Sequence, residues 1–95
     1  MSNKIVFSNP VEFEGKKYTD LTIDLDSLTG NDLLAVEREV RAMGDKNPVP
    51  ELSKQYLAAV GARAAKVPVE MVLSLPAKYF SKITLLVQGF FVPEE

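Results

Sequence analysis

The chain contains no cysteine and no histidine, and neither sign of charge dominates it. Without cysteine there is no disulfide framework, no thiolate nucleophile and no sulfur ligand for zinc. Without histidine there is no side chain that titrates near neutrality, and the commonest metal ligand is missing. Most enzyme classes lose their working groups on those two counts, so a non-enzymatic role is expected. Eleven Lys and Arg against thirteen Asp and Glu give a net charge of -2. The basic surface that nucleic acids require is therefore not expected. Uninterrupted apolar runs are short, Leu85-Leu86-Val87 among them. A bilayer span needs about 20 such residues, so no membrane segment is expected. Met1-Ser2-Asn3-Lys4 is not followed by an apolar stretch of signal-peptide length. A soluble protein of the cytoplasm is the expectation. There is no internal repeat and no low-complexity tract.

What remains is an ordinary globular composition, 46% apolar and 25% charged over 95 residues. Two halves of such a chain would each be too small to bury a stable core, so residues 1–95 are expected to form one domain. Residues 4–24 read as a β-hairpin. Ile5 and Phe7 alternate in one arm, and Val11 and Phe13 keep the period of two beyond Asn9-Pro10. Glu14-Gly15 is the turn signal, and Tyr18, Leu21 and Ile23 belong to the return arm. Pro10 cannot donate to a ladder and marks an edge or a bulge.

The rest, about residues 30–92, reads as four helices. The first is expected from about Asn31 to Met43. Leu33, Val36, Val40 and Met43 form its apolar stripe, and Glu37 and Arg41 form an (i, i+4) ion pair off it. Thr29 and Asp32 have capping-box spacing, and Gly44 is placed to end the helix. Pro48 and Pro50 stiffen the next loop, with Pro50 expected at the first position of a second helix reaching about Lys66. Leu52, Tyr56, Ala59, Val60 and Arg63 follow helical spacing there. Ala58, Ala59, Gly61, Ala62, Ala64 and Ala65 would admit a close neighbour. Pro68 opens a short third helix, about Val69 to Ser74. Pro76 opens the last, about Ala77 to Gln88, with Gly89 as its stop. Tyr79, Phe80, Ile83, Leu86, Val87 and Phe90 give that helix a wide apolar face. Phe91 and Val92 are expected off the stripe or past the helix end. Strands first and helices after define an α+β class with segregated layers.

Three chemical motifs fail on their context. Asp24-x-Asp26 begins like a calcium loop, but Leu28 and Ala35 stand where oxygen ligands belong and Gly30 comes one position late. Asp26-Ser27-Leu28, before the acidic stretch Asp32 to Glu39, looks like the phosphopantetheine attachment site of acyl carrier proteins. Carrier proteins, however, are all-helical and reach that Ser through a long first helix, where this chain has strand patterning. Ser27 and Thr29 are better read as turn and cap residues. No catalytic carboxylate pair is marked among the thirteen acids. No catalytic, cofactor or metal residues are assigned.

A family likeness runs through the remaining residues. Gly15-Lys16-Lys17-Tyr18, Leu21 and Ile23 come first, then Thr29-Gly30-Asn31-Asp32-Leu33 and Glu37. Val67-Pro68-Val69-Glu70, Leu75-Pro76, Tyr79, Val87 and Gly89-Phe90-Phe91 follow. In order, spacing and length, roughly over residues 11–92, the chain resembles the tail assembly chaperones of Mu-like and related contractile-tailed phages, the group called E, 41 or 14. Two positions depart from that pattern: Lys66 stands where the family has Gly, and Lys78 where an acid is more usual.

The resemblance implies an assembly factor of a phage or prophage, acting in the bacterial host cytoplasm and absent from the mature virion. Its partners would be the helical tape measure protein, kept soluble by binding, and the tail tube protein recruited around it. Self-association is a further expectation; nucleic acid and membrane are not expected as partners. Many relatives also have a longer frameshift product, and the codons for Gly89-Phe90-Phe91 can supply a slippery run of T. A holdase for amphipathic helices needs apolar surface and net charge. The small-residue face of the second helix and the aromatic last helix are the two candidates. The expected contact residues are Tyr79, Phe80, Phe90 and Phe91, with Tyr56 behind them. An acyl-carrier-like protein modified at Ser27 and a small host adaptor domain remain the alternatives.

Overall fold

The computed structural model describes residues 3–44 and 53–91. An N-terminal antiparallel hairpin, β1 (Asn3–Phe13) and β2 (Lys16–Ile23), is followed by four helices. These are α1 (Gly30–Ala42), α2 (Lys54–Ala65), α3 (Val69–Leu73) and α4 (Ala77–Phe91). A 3-10 turn, Leu25–Ser27, joins the two parts.

The hairpin turn places Glu14 at φ 52° and Gly15 at φ 79°. Two consecutive positive φ values match the right-handed twist of the flanking strands, which is why two-residue hairpin loops adopt this form. Pairing runs in register from Asn3↔Ile23 to Val6↔Asp20, breaks, and resumes at Val11↔Tyr18. The break holds Phe7 to Pro10. Pro10 has no N–H for a ladder, so the chain bulges there, as its position in the sequence suggests. Ile5, Phe7, Leu21 and Ile23 are buried beneath the hairpin. A two-stranded sheet is marginal by itself and needs this apolar face against helices.

The expected capping box is present at α1. Thr29 Oγ1 accepts the Asp32 N–H at 3.3 Å, and the Thr29 N–H donates to Asp32 Oδ2 at 2.8 Å. Two of the helix's orphan donors are thereby satisfied. Gly44, at φ 102°, donates its N–H to the Arg41 carbonyl and ends the helix. Val36 and Val40 are buried, whereas Met43 at the end of the stripe is exposed. Arg41 Nη2 lies 3.2 Å from Glu37 Oε2, the ion pair set by their spacing.

Helix α2 is the centre of the molecule. It packs against α1, α3, α4, β2 and the 3-10 turn. Tyr56 through Ala62 and Ala64 are all buried. The start expected at Pro50, and Leu52 on its stripe, lie outside the described residues; α2 begins at Lys54, where Ser53 Oγ accepts the Tyr56 N–H at 3.2 Å. Arg63 is exposed rather than part of the apolar stripe, because Asp32 draws its guanidinium to the surface of α1. A methyl placed on Gly61 would lie 2.5 Å from Ile83 Cγ2 and 3.4 Å from Val87 Cγ2. Glycine is therefore what lets α4 come down on α2 at this crossing.

Lys66 ends α2 at φ 62°. The Val67 N–H reaches the Ala62 carbonyl at 3.0 Å and the Lys66 N–H reaches Arg63 at 3.2 Å. This is the Schellman arrangement, which ordinarily employs glycine at the left-handed position. Pro68 then precedes the single short helix α3, whose Val69, Met71 and Val72 complete the floor of the core.

The end of α4 differs from the expectation. The helix passes through Gly89 and continues to Phe91. A glycine inside a helix costs only about 1 kcal/mol relative to alanine. Phe91, one turn beyond Val87, offsets that cost by packing its ring 6.1 Å from Tyr56. Phe91 thus lies on the inward side of α4, not off it. Val92 lies outside the described residues.

Candidate partner-binding surface

Tyr79 and Phe7 tie the two layers together. Their rings meet edge to face at 4.9 Å. The Ser8 N–H donates to Tyr79 Oη at 2.7 Å, and the two hydroxyls share a second bond at 2.9 Å. Ser8 lies in the irregular stretch of β1 between Val6 and Val11, outside the paired register, and its N–H is turned to Tyr79 instead. Donation from the Ser8 hydroxyl and then from its backbone holds the Tyr79 phenol below the usual tyrosine range. Lys78 and Lys82 add to this, with their ammonium groups 5.2 and 5.8 Å from the ring centre. Tyr79 is buried and so is Tyr56. Both are core residues of the monomer, occupied by neighbours within the chain.

The other aromatic candidates sit differently. Phe80 is half-buried against the core, as is Phe91. Phe90 is 43% exposed and touches only Phe91 among the aromatic rings, at 5.7 Å. The small-residue face of α2 is not available to a partner. Ala58, Ala59, Gly61, Ala62 and Ala64 are all buried within the molecule.

One strip of α4 remains. Tyr79, Ile83, Thr84 and Val87 point inward. Leu85, 66% exposed, lies on the opposite side, while Leu86 and Phe90 flank the inward face, Phe90 three residues beyond Val87 near the helix end. Spacings of four relate Leu85 to Gly89 and Leu86 to Phe90, so these residues form a second apolar ridge along the helix. The ridge borders a shallow groove of about 330 Å³. Asn3 and Leu25 form its other wall, with Asp26 at the rim. A methyl placed on Gly89 would meet nothing within 4 Å. The groove is thus open down to the helix backbone at that point.

No family model, curated protein or solved structure matches this chain.

The chemistry of the surface rests accordingly on its own residues. Leu85 carries the clearest signal that spacing alone did not single out: it is the most exposed large apolar side chain of α4. It falls outside the dominant stripe, and that position was the clue available in the sequence. Ser27 donates its hydroxyl to the Asp24 carbonyl at 2.9 Å, within the 3-10 turn that follows the hairpin. Among the described residues no group of three acidic side chains could hold a metal ion. No helix among them is long and apolar enough to cross a membrane.

Proposed function

We propose that the protein is a phage or prophage tail assembly chaperone, similar to the E, 41 or 14 group. It binds the tape measure protein, keeps it soluble and helps to recruit tail tube subunits, without making or breaking covalent bonds. The observation that carries this reading is the second apolar ridge of α4, Leu85, Leu86, Gly89 and Phe90, open along a groove on an otherwise closed core. An opening hairpin followed by helices, in the order of the motifs quoted above, supports it as well.

The groove suits the face of an amphipathic helix. Such a client presents apolar side chains at steps of three and four, and the ridge of α4 offers grooves at the same steps. Burial of Leu85 and Phe90 contributes about 25 cal/mol for each Å² removed from water. The bare backbone at Gly89 allows a client helix to approach closely. The patch is small, which favours reversible capture over a permanent complex. Reversibility is what a chaperone needs if its client is later to be enclosed by tube subunits.

The test is co-expression with the tape measure protein encoded in the same tail gene cluster, followed by measurement of its soluble fraction and co-purification. The wild-type chain should hold the client in solution. The double variant Leu85→Asp/Phe90→Asp should fold, by circular dichroism, and release it to the pellet. A client that stays insoluble beside the wild-type chain, or stays soluble beside the double variant, sinks the reading.

A further inference from the structure

We draw no further inference here: the strongest candidate, the outer edge of β2, which pairs with no third strand among the described residues, carries nothing, because nothing in the structure shows what covers it.

Discussion

Helices α2 and α4 each carry a glycine in mid-course, and the two glycines have opposite surroundings. At Gly61 a methyl would strike Ile83 Cγ2 at 2.5 Å; at Gly89 it would meet open space. The same intrinsic penalty of about 1 kcal/mol applies to both. At Gly61 the return is helix packing: α4 settles on α2, and the core closes around fully buried Val60, Ile83 and Val87. At Gly89 no contact within the described chain offsets the penalty beyond what Phe91 restores at the helix end. One glycine serves the fold of the monomer. The other leaves a gap beside an exposed Leu85 and Phe90. The difference shows that α4 has an inner face belonging to the core and an outer face that the described residues leave uncovered.

The comparison can be broken by substitution. The largest effect is expected at Ile83→Ala, a loss of about 2–5 kcal/mol in urea unfolding, against no more than about 0.5 kcal/mol for Leu85→Ala. Equal losses would mean that the two faces are not distinct. Gly61→Ala should cost about 1–2 kcal/mol net, because β-branched Ile83 cannot swing its Cγ2 aside, whereas Gly89→Ala should stabilise by up to about 1 kcal/mol. Combining Gly61→Ala with Ile83→Ala should cost less than the sum of the two, since the clash is then gone. A thermal or urea series on the four single variants and the double variant checks both points.

A smaller gain is expected from Lys66→Gly, up to about 1 kcal/mol, by relief of the left-handed backbone at the end of α2. A neutral or unfavourable result would mean that the Lys66 side chain contributes contacts that offset its strain.

The smallest effect is electrostatic and concerns α1. Backbone donation from Thr29, followed by the Arg63 guanidinium, holds the Asp32 carboxyl below the usual carboxylate range. A carboxyl depressed in the folded state stabilises it above the unfolded value of about 3.9, and the contribution is lost as pH falls through the lower folded value. Stability should therefore decline below about pH 4, and Asp32→Asn should flatten that part of the profile. Urea midpoints measured between acid and neutral pH give the slope directly. An unchanged slope in the variant would place the acid sensitivity elsewhere.

Much of the fold was legible along the chain because local rules govern it. The turn at Glu14-Gly15, the irregularity at Pro10, the Thr29–Asp32 box and the Gly44 terminus each depend on a few adjacent residues. The helix count followed from apolar spacing. Three features were not legible for a common reason: each depends on a partner distant in sequence. Gly89 reads as a stop, and only the contact of Phe91 with Tyr56 carries the helix past it. Arg63 falls on the apolar spacing of α2, and only Asp32, 31 positions earlier, holds it outside. Tyr79 falls on the apolar face of α4, but nothing near it in the chain shows that its hydroxyl is bonded to Ser8, 71 positions away. The candidate surface was half legible. Phe90 was among the expected contact residues although it falls on the apolar face, while Leu85, off that stripe, was not singled out.

Residue order by itself determined that this chain is a hairpin followed by helices, for periodicity, caps and turns are properties of neighbours along the backbone. It also excluded imidazole and thiolate chemistry, since the side chains are not there. Tertiary packing alone decided which apolar residues are spent inside and which remain outside. Tyr56 and Tyr79 are more polar than Phe90, yet they are buried and Phe90 is not. What separates them is the position of α2 and of the β1 bulge against α4, because burial is a relation between elements and not an attribute of a side chain.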